Sequence, residues 1–188
     1  MGSKKLKAIA CRGKGRIESA SREGFTGVLD WWRKTYNQAA DGLHDMGTSR
    51  GVGALDADGI LPTRNFREGS FEKASEITGQ VMRDTILANR GTCFACAVAC
   101  KREVEIEGTD VKAEYGGPEY ETIAAVGSLQ GIGDLHHIAK ANKMLAQYVL
   151  DSISTGAAIA FAMECYEEGI LTVEDTGGLE LSFGNQEA

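Results

Sequence analysis

The sequence predicts a mainly α-helical fold with a minor β part, on three observations. Apolar residues recur at three- and four-residue steps through several long stretches. Candidate β segments are short and lie near residues 5 and 105. An alanine-rich segment, "DSISTGAAIAFAMECYEEG", is apolar nearly all round, as a central buried helix would be.

Taken in order, "KKLKAIA" (residues 4–10) reads as a short strand. Phe25, Val28, Leu29 and Trp32 then mark a helix, with Ser21 as its N-cap and Gly42 as its stop. A Gly- and turn-rich stretch follows as a long loop, of the kind that is usually functional or flexible. Phe71, Ala74, Val81, Met82 and Ile86 share one face of a second helix ending before Gly91. "KREVEIEGTDVKAEYGG" alternates and turns at Gly108 to Asp110, the pattern of a small hairpin. From Glu119 the chain turns helical. Leu135, Ile138, Asn142, Leu145 and Val149 follow a cap at Asp134, and the alanine-rich helix ends at Gly169.

The chain has 188 residues, 43% of them hydrophobic and 25% charged, the balance of a soluble globular protein. A net charge of -7 with no long basic cluster argues against nucleic-acid binding. No apolar run approaches the length of a membrane span, and the N-terminal lysines lack the apolar core of a secretory signal. The expected location is cytoplasmic.

Chemistry concentrates in "TCFACAVACKR", where Cys93, Cys96 and Cys100 occupy three of eight positions. Thiolates at this spacing suit zinc or an iron–sulfur cluster. A structural zinc site pairs this kind of knuckle with a second one or with two histidines. His136 and His137 are adjacent, so a helix points them about 100° apart. A [4Fe–4S] cube, often held by three cysteines of one loop and one from afar, fits the triplet better. Lys101 and Arg102 would offset its negative charge. Cys11 and Cys165 stand alone among the five cysteines, Cys165 reading as a small buried hydrophobe. An independent iron–sulfur or zinc binding module without catalytic activity is the alternative these residues leave open.

The flanking words narrow the choice. "LPTRNFREGSFEKASEITG", "RGTCFACAVACKR", "GGPEYETIAAVGS", the "GIGDL" and "IAKAN" words and "LDSISTGAAIAFAMECYEEGILT" together resemble the aldehyde ferredoxin oxidoreductase family, in order and along the whole chain. The resemblance implies the helical middle domain of that family, with a minor hairpin and an N-terminal strand remnant. Residues 1–16 would be the end of a pterin-binding N-terminal domain. Residues 17–188 would be the middle domain, incomplete at its C-terminus, with the fourth cluster cysteine in a third domain. It implies oxidation of a small aldehyde to a carboxylic acid at a tungsten (or molybdenum) bis-pterin centre. Electrons would pass through a [4Fe–4S] cluster to ferredoxin. A homodimer is among the assemblies it allows.

The same resemblance assigns roles. Cys93, Cys96 and Cys100 match the clustered cluster ligands, with Ala97 where a proline is common. "GPEYE" matches the segment that brings a glutamate to the metal, and of Glu119 and Glu121 the flanking words favour Glu121. Such a carboxylate would move protons, provided burial raises its pKa. "AQYVLD" matches a pterin-binding word, D-x-x-G-L-D, at Leu150 and Asp151, while Ala146 and Val149 depart from its acid and its glycine. Asp151 could accept pterin N–H groups and also cap the next helix. Arg64 and Asn65, on the long loop, stay outside this set, since a substrate-channel or cofactor contact and an ordinary turn with a satisfied Asn fit them equally.

Overall fold

The computed structural model describes residues 2–6 and 8–187. Among them are six α-helices and one two-stranded antiparallel sheet. The chain divides into two compact units, one ending at Thr35 and one running from Tyr36.

In the first unit, the described residues of 4–10 form no strand, and Lys7 of that expected strand lies outside the described residues. Helix α1 (Arg22–Met46) begins here, with Ser21 Oγ accepting from the Gly24 N–H at 3.1 Å. Phe25, Val28 and Trp31 are exposed on it. The expected stop at Gly42 is wrong: the helix continues into the second unit and ends at Gly47. Gly47 has φ 68°, the left-handed conformation that glycine adopts without a Cβ clash.

The second unit holds the core, built on Leu61, Phe71, Ile77, Met82, Val104, Ile123 and Ile138. The long loop contains a short helix, α2 (Val52–Ala57). After it, Arg64, Asn65 and Phe66 all take positive φ. Backbone bonds from Arg64 and Asn65 to Ser128 and Leu129 hold this turn in place.

The single helix expected after Ser70 is broken. Phe71, Ala74 and Ile77 do reach the core, but from turns and a 3-10 segment. Thr78 is extended and caps the short α3 (Gly79–Thr85). Gly79 cannot be replaced without conflict, because a Cβ there would lie 2.7 Å from the Met46 carbonyl. Beyond α3 the chain becomes strand β1 (Leu87–Gly91), paired with β2 (Lys101–Val104). Pairing with β2 gives backbone groups along one edge of residues 87–91 the partners a helix would otherwise supply, and here the partner strand decides. The hairpin therefore lies upstream of the expected one, with the cysteines on its connecting loop. Gly108 (φ 75°) does make the expected tight turn, closed by Thr109 N–H to Ile106 O at 3.2 Å, without a second strand pair.

Helix α4 (Tyr120–Val126) is buried from Thr122 onward. Helix α5 (Leu135–Tyr148) is capped by Asp134, whose carboxylate accepts from the His136 and His137 N–H groups. Helix α6 (Ser152–Glu167) is capped by Asp151, and the chain bends by 117° between α5 and α6. The all-round burial expected of α6 belongs to α4 instead. α6 buries only Gly156, Ala160 and Met163, while Ile153 and Phe161 are exposed. Small residues on one face let α6 approach α4 closely: a Cβ on Gly156 would lie 2.5 Å from the Ala125 carbonyl.

That contact predicts the outcome of a pair of substitutions. Gly156→Ala should lower stability by about 1–3 kcal/mol in urea unfolding, since α4 and α6 must separate to admit the methyl. Gly53→Ala, in α2 with open space around it, should be neutral or stabilising by up to about 1 kcal/mol.

Candidate cofactor and redox site

The hairpin loop, residues 92–100, carries the three clustered cysteines. Cys93 and Cys96 are exposed and Cys100 is half-buried. A turn joins the first two, with the Cys96 N–H donating to the Cys93 carbonyl at 3.1 Å. Ala95 (φ 54°) and Ala99 (φ 51°) each precede a cysteine in the left-handed conformation. Such reversals turn backbone N–H groups to one side of a loop, a device of many anion and iron–sulfur sites. The soft donors fit an iron–sulfur cluster or zinc. As arranged, however, no three His, Cys, Asp or Glu side chains among the described residues converge on one metal position. Binding would have to gather the two exposed thiols.

The loop is fastened by Arg102, whose side chain is almost wholly buried, at 2% exposure. Its guanidinium donates to the Cys100 and Ala99 carbonyls on one side and to the His44 and Asp45 carbonyls at the end of α1 on the other. Burial lowers its pKa and the Arg90 charge adds to that, while Glu119, Cys100 and Asp45 oppose. His44 Nδ1 lies 2.7 Å from the Val98 carbonyl. Asp45 bonds Arg83 and Arg90, and the Arg83 hydrogen bond chiefly holds its carboxyl below the usual range.

One turn further on, Thr48 ties this segment to α4. Its hydroxyl bonds the Glu119 carboxylate and accepts from the Tyr120 N–H at 2.9 Å. Glu119 is thus engaged in positioning the start of α4. Glu121, in the first helical turn, is exposed. Its neighbour Thr122 meets Ser152 of α6, hydroxyl to hydroxyl, at 2.8 Å. The beginnings of α4 and α6 are therefore adjacent, which brings Glu121 and Asp151 onto neighbouring helix starts.

Asp151 Oδ2 accepts from the Ser154 N–H at 2.7 Å, and that backbone bond holds its carboxyl below the ordinary value. Leu150 is exposed and lines a cavity of about 420 Å³ together with His137, Met144, Tyr148 and Gln130. Burial lowers the His137 pKa. Val149, where the pterin-binding word has glycine, has φ 57°. A β-branched side chain there is strained, which gives a physical reason for glycine in that word.

Sequence reasoning singled out the cysteines, both glutamates and Asp151. It did not find the grip of Arg102 on the loop, the link through Thr48, or the hydrogen bond from Asn65 to Glu164 that fixes the "TRNF" turn to α6. The signal for Arg102 was present only as an arginine in an otherwise apolar alternation with Val104. Cys165, expected buried, is half-exposed on α6.

Comparison with known proteins agrees with the motifs. The family model described as "Aldehyde ferredoxin oxidoreductase, domains 2 & 3" matches residues 28–188. The chain is 40% identical over 183 residues to the tungsten-containing aldehyde ferredoxin oxidoreductase of Thermococcus kodakarensis, covering 94% of this chain and 29% of that protein. It is 39% identical to the Pyrococcus abyssi enzyme of the same description, covering 100% of this chain and 31% of that one. An aliphatic sulfonate oxidoreductase, WOR-like subunit, of Pyrococcus furiosus is 28% identical, over 100% of this chain and 30% of that protein. The chain thus spans less than a third of the length of these relatives.

Two outcomes follow from the local geometry. Val149→Gly should stabilise the chain by about 1 kcal/mol in urea unfolding, by relieving the left-handed strain. Asp45 has a depressed carboxyl pKa, so its contribution is present above about pH 4 and is lost as pH falls through its lower folded value. Asp45→Asn should therefore lower the urea midpoint at neutral pH and lose less further stability on acidification than the parent chain.

Proposed function

The chain belongs to the aldehyde ferredoxin oxidoreductase family, and from that premise we propose that it is the cluster-holding, pterin-contacting part of an enzyme oxidising small aldehydes to carboxylic acids. One observation supports this most. The loop bearing Cys93, Cys96 and Cys100 is anchored to residues 44–45, and Thr48 of the same segment holds the α4 start that carries Glu119 and Glu121. Redox ligands and a proton-transfer carboxylate thus share one support.

Cys93, Cys96 and Cys100 would ligate a [4Fe–4S] cluster, losing their protons as they bind iron. Leu150 and Asp151 would contact the pterin, Asp151 with the lone pairs not used by Ser154. Bound beside them, a tungsten (or molybdenum) bis-pterin would supply the two-electron oxidation, with the cluster carrying electrons on to ferredoxin. Glu121 would take a proton from water or from the hydrated aldehyde, and its exposed position leaves it free to do so once a covering surface desolvates it. Glu119, engaged by Thr48, would orient that helix turn, with direct proton transfer a lesser role. Residues 1–16 would belong with the pterin-binding domain and 17–188 with the helical middle domain, in a cytoplasmic enzyme. An aldehyde is favoured over a sulfonate substrate because the aldehyde enzymes are the more similar relatives.

Anaerobic reconstitution with iron and sulfide, followed by iron counting and electron paramagnetic resonance, tests the cluster. Cys93→Ser should abolish incorporation and Cys165→Ser should not. Stoichiometric zinc with no iron uptake at excess iron and sulfide would turn the reading toward a zinc module. In the complete enzyme, Glu121→Gln should lower kcat about 10²–10⁴-fold with little change in iron content. The chain by itself should reduce no viologen with aldehyde.

A further inference from the structure

The cysteine loop is held unevenly. On its outgoing limb three successive carbonyls are bound by side chains from outside residues 92–100. Val98 is bound by His44, Ala99 by Arg102 Nη2 at 2.9 Å and Cys100 by Arg102 Nε at 3.1 Å. The incoming limb has Thr92 Oγ1 donating to the Cys93 and Cys96 carbonyls, at 3.1 and 2.6 Å. Thr92 belongs to the same loop, so this contact shapes the limb without anchoring it to the core.

The other half of the Arg102 fork reaches the α1 terminus, Nη1 to Asp45 O at 2.8 Å and Nη2 to His44 O at 3.0 Å. Helix ends leave such carbonyls without intrahelical partners, and a cation suits their partial negative charge. Two glycines make room for the side chain. A Cβ on Gly47 would lie 2.9 Å from Cys100 O and 3.0 Å from Arg102 Nε, and one on Gly117 would lie 3.0 Å from Arg102 Cβ. A planar fork of five N–H donors on three nitrogens can span two segments in this way, whereas a lysine ammonium gathers its three donors on one nitrogen.

We propose that Arg102 is a positioning residue for the iron–sulfur site. By gripping the α1 terminus and the Ala99 and Cys100 carbonyls together, it presets the Cys100 thiol and leaves Cys93 and Cys96 free to close on the cluster. This rests on the iron–sulfur reading above and adds an order to it: Cys100 is the fixed ligand, the other two the adaptable ones. Charge compensation of a cluster by Arg102 would need only a cation nearby. Positioning needs the fork, and the lysine variant separates the two.

The test uses the full chain as wild type, Arg102→Lys, Arg102→Met and His44→Ala. In the metal-free state, alkylation of each thiol is followed by mass spectrometry. In wild type, Cys100 should react more slowly than Cys93 and Cys96, and both Arg102 variants should raise its rate severalfold while leaving Cys11 unchanged. After anaerobic reconstitution with iron and sulfide, both should lose iron to a chelator about ten- to a hundredfold faster than wild type, with His44→Ala intermediate. Wild-type iron retention and Cys100 protection in Arg102→Lys would overturn positioning in favour of charge alone. Equal alkylation of the three thiols in wild type would overturn it without any variant, even where Arg102→Met fails to fold. No iron uptake by the wild-type chain at excess iron and sulfide, with Cys100 protected as expected, would sink the iron–sulfur reading and the cluster role of Arg102 with it, while leaving the clamp itself standing.

Discussion

A guanidinium withdrawn from water must find partners for its N–H groups, and Arg102 finds them in two places far apart in the chain, which the His44 contact to Val98 also joins. Its partners are backbone carbonyls, at the end of α1 and on the cysteine loop. Loss of such partners would leave a buried charge uncompensated, at a cost on the order of 3–5 kcal/mol. The hairpin, the helix terminus and the loop are consequently positioned as a set. The left-handed Gly47 and the cramped Gly117 follow from the same demand for space around one side chain.

From that junction the remaining site residues are reached in short steps. Thr48, just beyond Gly47, bonds Glu119 and the first N–H of α4. Thr122 of α4 meets Ser152 of α6, and Asp151 caps the same helix. Each step is a hydrogen bond made by a helix end or its cap, where backbone groups lack intrahelical partners. Helix termini therefore serve twice in this chain, closing their own hydrogen bonding and linking the segment that holds the cysteine loop to the helix starts that carry the carboxylates.

The apolar core supplies the rigid backing. α4 is buried from its third residue and has α6 against it at glycine distance, with Gly156 over the Ala125 carbonyl. A helix start held this closely can aim a side chain such as Glu121 with little freedom of the backbone beneath it. The face of α6 bearing Ile153 and Phe161 is open by contrast.

Much was legible in the residues themselves. The mainly helical class, the Asp134 and Asp151 caps, the turn at Gly108 and the boundaries of α5 and α6 all rest on local physics. A cap or a left-handed glycine acts within one turn of chain, so its signal is local too. The cysteine spacing and the neighbouring words carried the family in the same way, since they are strings and need no fold to be read. What the tertiary structure decided were the cases in which a distant partner outweighed local preference. Residues 87–91 left a helical pattern because 101–104 offered them a ladder. α6, apolar all round, ceded the centre to α4, because burial depends on what packs outside a helix as well as on its composition. The words around "GPEYE" favoured Glu121 over Glu119 without a physical reason, and the arrival of Thr48 from 71 residues away supplies one, tying Glu119 to the helix start and leaving Glu121 exposed. Beyond its place in an apolar alternation, Arg102 gave no local sign of its partners, because its four carbonyl acceptors lie on two segments that meet only once the chain has folded.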